Sequence, residues 1–354
     1  MTSLKPKLVL HVGMPKTGSS ALQKWFATSR AHLLTQGVLY PQSNKNKSHP
    51  FLSLPLDFEA DGQRLLVDEI GRSQIKADQV FEKTWTALEA EIRVTSPETV
   101  VLSTEYLFKR IGNKGRERLL RAIDRTFSET KIAIYVRQPS KFYASHVQQR
   151  IKHSATLPAI QPVSWRRKIE AWEEAFPGSV SIRTYEKSAL IAGDIIADFL
   201  TSYLGLTRHD TPGEATVNES MSAEAAQVLQ ALQLDRFPGQ DDVVIPERNR
   251  LRKKVLEVDR KLSGFTRPKL LAKIADHIDY ASTDLLWLRD EYGILFDHLD
   301  YARVTDRPEG HLPADQISDV FEINAERLSA LEKVMAEARG VTWLKACAKA
   351  LGLS

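Results

Sequence analysis

A strand, a loop carrying two glycines and a helix occupy the first 35 residues, and this order constrains the fold more than any other feature of the chain. Residues 7–12 (Lys-Leu-Val-Leu-His-Val) form a short, apolar, partly β-branched run suited to a buried strand, and Gly13-Met-Pro-Lys-Thr-Gly18 then breaks the pattern. A helix is expected from Ser19, its inner face marked by Leu22, Trp25, Phe26 and Leu33, with Gly37 and Pro41 marking where the chain has left it. A glycine loop that opens a helix is a ready anion site. The first-turn N–H groups lack partners within the helix and carry the positive end of its dipole.

The same alternation recurs with strand Thr99–Ser103, a helix around Gly115–Phe127, strand Lys131–Val136, a helix from about Ser140 to Ile151, strand Val180–Thr184 and helix Ile191–Tyr203. Strands alternating with helices of this length imply right-handed crossovers. The expected fold class is therefore α/β, a mostly parallel sheet with helices on both faces in three P-loop-like layers, followed by a helical C-terminal extension. Beyond about residue 210 helical patterns such as Ala223–Leu234 and Ile317–Ala338 dominate, so residues 1–210 are expected to form the α/β core and 211–354 a helical region packed on it. Thr207–Val217 and Phe237–Pro246 read as connecting loops, and the irregular segment 41–60 as a surface excursion or a substrate gate.

At 354 residues the chain can bury a sizeable core without staples, and its single cysteine, Cys347, cannot form an internal disulfide. The apolar run Leu8–Val12 is too short for a signal peptide and no apolar stretch reaches spanning length, so a soluble, cytoplasmic protein without a membrane span is expected. A net charge of +4 is small for this length and does not support nucleic acid as a partner.

In Gly13-Met14-Pro15-Lys16-Thr17-Gly18-Ser19-Ser20 the lysine precedes the second glycine by two residues, whereas a nucleoside-triphosphate P-loop places it directly after that glycine. Pro15-Lys-Thr-Gly-Ser-Ser20 resembles the 5′-phosphosulfate loop of the sulfotransferases that use 3′-phosphoadenosine-5′-phosphosulfate (PAPS). A second segment, Arg137-Gln-Pro-Ser-Lys-Phe-Tyr-Ala-Ser145 after strand 131–136, resembles the 3′-phosphate segment of that family, an Arg at a strand end and a Ser eight residues on. An Arg fork and a hydroxyl donor suit a phosphate. Ser181-Ile-Arg-Thr-Tyr-Glu186 and Asn218-Glu-Ser-Met-Ser222 resemble later segments of the family, although Ser220 and Ser222 read more simply as helix caps.

The resemblance spans residues 7 to about 225 and implies that Lys16, Thr17, Gly18, Ser19, Ser20, Arg137 and Ser145 bind PAPS, Lys16 also stabilising the leaving 3′-phosphoadenosine-5′-phosphate (PAP). No metal is implied. The acceptor would be a hydroxyl compound, and a base should stand at a strand end facing the sulfur. Glu105, in Val101-Leu-Ser-Thr-Glu-Tyr106, is at the position where the family places a His or, in carbohydrate-directed members, often a Glu; a saccharide or glycolipid acceptor follows from that choice. His49 and His146 are the alternative bases, and His11 reads as a satisfied residue of the first strand. Two departures stand out. Ala21 occupies the place of an adenine-stacking Trp, with Trp25 one turn further along and core-like in spacing, and no clear Arg-Lys-Gly segment occurs near the C-terminus, where basic Arg248–Lys254 reads as a solvated helix face. Trp165 and Trp172 could stack on sugars but also read as core. Competing readings are a nucleotide-dependent kinase with an atypical P-loop and a noncatalytic nucleotide-binding protein; oligomeric state is not legible.

Overall fold

The computed structural model describes residues 5–43, 47–56, 71, 73–112, 114–208, 220–243, 245–305 and 312–337. Cys347, Asn218 and most of the loop 207–217 lie outside them, as does the end of segment 41–60. Packing groups the chain into two compact units. One comprises Met1–Arg137, Ser164–Thr216 and Leu286–His298, the other Gln138–Val163, Val217–Leu285 and Leu299–Ser354.

The first unit holds the sheet. Strands β1 (Lys7–Val12), β2 (Val38–Leu39), β3 (Thr99–Thr104), β4 (Glu129–Val136) and β5 (Val180–Thr184) are arranged in the order β2-β3-β1-β4-β5, all pairs parallel. Helices α1 (Ser19–Thr28) and α2 (Arg30–Thr35) follow β1, α3 (Gln74–Thr95) precedes β3, and α4 (Arg116–Thr126) joins β3 to β4. Between β4 and β5 run α5 (Pro139–Arg150), which belongs to the second unit, and α6 (Arg166–Ala175); α7 (Ile195–Phe199) follows β5.

Strand alternation explains the apolar runs. Val9, Val101, Ala133 and Tyr135 share one core with Leu22, Trp25 and Phe26 of α1 and with Ile195, Ile196 and Phe199 of α7. Leu8, Leu10, Val100, Leu102, Ile132 and Ile134 alternate with them and are equally buried, so both faces of the sheet are covered. Each such side chain contributes roughly 1.5–3 kcal/mol.

The strand order creates a switch point. From β1 the chain runs past β3 to β2, whereas from β3 it runs the other way, past β1 to β4. Right-handed crossovers then put the helices that follow β1 and β3 on opposite faces, and the loops at the carboxyl ends of these neighbouring strands diverge. Val12 pairs with Thr104 there, and the Gly13 N–H donates to the Thr104 carbonyl at 2.9 Å.

Three expected helices are interrupted. The one from Ser19 ends at Thr28 and restarts at Arg30, so Leu33 lies on α2. Within Ile191–Tyr203 the Asp194 side chain accepts from the Ala197 N–H and starts α7 afresh, after which a wide turn covers Leu200–Leu204. Within Ile317–Ala338 a short turn at Ile317–Asp319 is followed by a bridge between Phe321 and Leu270, and a helix forms over Ala325–Glu337. Asn324 caps it, accepting from the Arg327 N–H at 3.0 Å.

The second unit is helical: α5, α8 (Ala223–Arg236), α9 (Pro246–Lys261), α10 (Ala272–Tyr280) and the helix over Ala325–Glu337, α12, with α11 (Asp284–Tyr292) beginning at its edge. Ser222 caps α8 through the Ala225 N–H, as its sequence position suggests, while its hydroxyl donates to Asp259 at 2.7 Å. The buried Arg327 joins this cluster, 2.8 Å from Asp259 and 3.3 Å from Glu224. Arg248 corrects the expectation of a wholly solvated basic face: it is buried, and its guanidinium donates to the carbonyls of His153, Val243 and Gln240 at 2.7–2.8 Å. Among the described residues no helix is long and apolar enough to cross a membrane.

Candidate active site

The loop between β1 and α1 is held by its own polar groups. Thr17 is buried and its hydroxyl donates to the Met14 carbonyl at 2.6 Å, closing the turn from within. Lys16 has φ 69° and Gly18 φ 81°, so two left-handed residues flank Thr17. Gly18 is required twice over, by that conformation and because a Cβ there would lie 2.8 Å from the Tyr185 ring. Gly13 gives way to side chains: a Cβ would stand 2.5 Å from the Ser19 hydroxyl and 3.0 Å from Glu105 Cγ. Helix α1 starts at Gly18 with no side-chain cap and no acidic residue in its first turn, which leaves its N–H groups and dipole to an anion.

Glu105 stands directly after β3, at the switch point. It is half-buried, packs against Gly13 and hydrogen-bonds the Ser19 hydroxyl. Burial raises its carboxyl above the ordinary carboxylate range, while the Lys16 charge and the Ser19 bond pull in the opposite direction without reversing it. Lys16 and Glu105 therefore meet at one loop, although 89 positions separate them in the sequence.

Arg137 arrives from the far side of β1, at the end of β4. Its guanidinium donates to the Lys16 carbonyl at 3.1 Å and lies over the Tyr185 ring, 5.7 Å from the centroid. Ser20 is exposed on the first turn of α1. Ser145 is half-buried on α5, in the second unit, where the start of that helix is fixed by the buried Asp279, which accepts from the Ser140 N–H, the Ser140 hydroxyl and the Gln138 amide at 2.7–2.8 Å. The structure thus brings Lys16, Thr17, Gly18, Ser19, Glu105 and Arg137 together within the first unit.

The histidines divide by burial. His49 is buried and accepts the Ser103 N–H at Nδ1, so Nε2 carries the proton and donates to the Pro41 carbonyl, each at 3.0 Å. Both nitrogens are engaged, and burial pushes its pKa down to about 4. His11 is likewise held down at about 4 by burial, with Nδ1 2.8 Å from the Ser103 hydroxyl, to which the Gln23 amide also donates. His146 is exposed on α5 beside Phe142. Glu105 is the candidate base that packs against the loop within the first unit.

Trp25 is buried against Phe26, and Trp165 and Trp172 are also core. Tyr185 packs against the loop and was not singled out individually in the sequence. Its signal was present, an aromatic residue directly after an edge strand and at the same sheet end as the loop, but its contacts with Gly18 and Arg137 exist only in three dimensions.

No family model matches the chain, and no curated protein does. Among solved structures it is similar to the sulfotransferase domain of the olefin synthase of Synechococcus PCC 7002, with 12% identity over 73% of this chain and 96% of that one, at a TM-score of 0.34. It is similar also to the sulfotransferase domain from the curacin biosynthetic pathway (12% identity, 72% and 99% of the two chains, TM-score 0.33) and to a sulfotransferase from Alicyclobacillus acidocaldarius (13%, 70% and 95%, TM-score 0.34). Likeness at this level says nothing of substrate.

Proposed function

We propose that this protein transfers the sulfuryl group of PAPS to a hydroxyl of an acceptor. The observation that carries the reading is the meeting of Lys16 and Glu105 at an uncapped helix N-terminus, a cation and a partly desolvated carboxylate within electrostatic reach of one another. The donor set suits a phosphosulfate. Thr17, whose hydroxyl proton is engaged by Met14, offers its backbone N–H; Gly18 admits close approach; Ser19, whose hydroxyl is bonded to Glu105, offers its first-turn N–H, and Ser20 adds a hydroxyl and an N–H. Arg137 and Ser145 take the 3′-phosphate, the role that the sequence resemblance implies for them.

PAPS supplies an electrophilic sulfur on a phosphate leaving group. Lys16 compensates charge on that leaving phosphate, an interaction stronger in the transition state than in the ground state. Glu105 accepts the proton of the attacking hydroxyl, and its raised pKa brings it nearer the range where a base is effective. A Glu in this role favours a saccharide or glycolipid acceptor over a phenol, whose own acidity makes less demand on a base.

The reading is tested by a thermal-melting panel without added metal. PAP should raise the melting temperature much more than 5′-AMP, because Arg137 and Ser145 read the 3′-phosphate and a ligand stabilises the native state according to its occupancy. Equal shifts for the two would overturn the reading, and a response to ATP that appears only when magnesium is added would point to the kinase reading instead.

A further inference from the structure

Lys16 adopts a conformation that its residue type disfavours. At φ 69° a non-glycine residue pays a steric cost, and lysine lacks the short polar side chain by which Asn or Asp offsets it locally. Such a conformation persists where surrounding structure imposes it. The bond from Arg137 falls on the carbonyl of Lys16 itself, at 3.1 Å. That carbonyl belongs to the peptide plane joining Lys16 to Thr17, and in a trans peptide the N–H points opposite to the C=O. Holding the Lys16 oxygen toward Arg137 therefore turns the Thr17 N–H away from it, and a flip of this plane would break the bond and redirect the N–H together. The guanidinium is itself seated, over the ring of Tyr185, which also packs against Gly18.

We infer that Arg137 is a positioning residue for the loop: its hydrogen bond to the Lys16 carbonyl locks the Lys16–Thr17 peptide and fixes where the Lys16 side chain and the Thr17 N–H are presented. A guanidinium has five N–H donors, so the lock engages one and is compatible with phosphate binding by the same group. The lock follows from the loop geometry alone; its coupling to nucleotide rests on the reading of PAPS as donor. With that reading, a 3′-phosphate on Arg137 and the shape of the 5′ cradle stabilise one another, and the loop discriminates donors beyond the direct contact.

The experiment compares wild type with Arg137→Met, which keeps an apolar stem and removes every donor, and with Arg137→Lys, which keeps a cationic N–H donor group of similar reach. In the unliganded proteins the Thr17 and Gly18 amide resonances should shift in Arg137→Met and stay near wild type in Arg137→Lys. Unchanged amides in Arg137→Met overturn the lock, whatever the protein binds. Adenosine-5′-phosphosulfate, which has no 3′-phosphate for Arg137 to read, should bind Arg137→Met roughly five- to thirty-fold more weakly, the equilibrium factor for the left-handed penalty. Unaltered affinity for it, with loss confined to PAP, would reduce Arg137 to a reader of the 3′-phosphate and overturn the lock. If wild type binds PAP no better than 5′-AMP the donor reading fails, and the amide comparison still decides the lock. Should Arg137→Met not fold, a crystal structure of wild type decides: Lys16 at negative φ, or its carbonyl turned from Arg137, overturns it.

Discussion

Glu105 and Lys16 act on each other as well as on a substrate. Burial alone would make the Glu105 carboxylate costly, and the ammonium and the Ser19 hydroxyl recover part of that cost. Replacing Glu105 by Gln should leave PAP affinity nearly intact and lower turnover by about 10²–10⁴, the usual worth of a positioned base. The acidic limb of the pH–rate profile, which in wild type should lie above the ordinary Glu range, should vanish with it. Lys16→Ala should reduce turnover by more than it weakens PAP binding, since the charge it meets develops on the leaving group. Both results require only labelled PAPS and an acceptor found in a screen of hydroxyl compounds. Stability carries a sign of its own. Between the ordinary and the raised pKa the native state holds a proton that the unfolded state has released, so Glu105 lowers stability as pH rises through that window. Denaturant melts of Glu105→Gln should accordingly show a gain over wild type at neutral pH that disappears in acid.

Among the secondary-structure elements, the loop and α1 form one device. Gly18 is the last residue before the helix, its φ is 81° and the Tyr185 ring occupies the space of a side chain. Gly18→Ala should therefore weaken nucleotide binding and destabilise the fold by roughly 1–3 kcal/mol, the cost of a strained backbone position; equal stability and affinity would mean that Tyr185 moves aside freely. The loop, the helix and its buried face of Leu22, Trp25 and Phe26 were all legible in the sequence, because a helix repeat and a glycine break are local signals. Breaks due to side-chain caps were less so. Asp194 and Asn324 divide stretches whose apolar spacing reads as continuous, and a cap competes with that spacing only when its partner N–H is in reach. Arg248 belongs to the same class, a cation in a basic run whose carbonyl partners are Gln240 and Val243 in the loop just before its helix and the distant His153.

Over the whole molecule, the buried histidines set a limit on acid tolerance. His11 and His49 titrate at about 4 in the native state and near 6.5 when unfolded, so the unfolded chain binds protons that the native state refuses. Their stabilising contribution is complete above pH 6.5 and declines as pH falls toward 4, by on the order of 3 kcal/mol per histidine at most. Urea melts at pH 7 and pH 4.5 should differ in this direction, and His11→Asn, whose amide can still meet Ser103, should reduce the difference. A wild-type stability independent of pH over this range would contradict the burial of both rings.

Residue order and periods of a few residues were enough to specify the alternation of strands and helices, the parallel sheet it requires, and the glycine loop at the head of the first helix. The resemblance to sulfotransferase motifs, also carried by the sequence, singled out Lys16, Glu105 and Arg137 as separate candidates. That these three meet is a consequence of packing. The order β2-β3-β1-β4-β5 sets β3 and β4 on either side of β1, so Glu105 and Arg137 approach one loop from opposite flanks, and burial at that point shifts Glu105 while engaging both nitrogens of His49. Strand order depends on which apolar faces pack together across the chain, and neighbourhood, charge and desolvation exist only once they have done so.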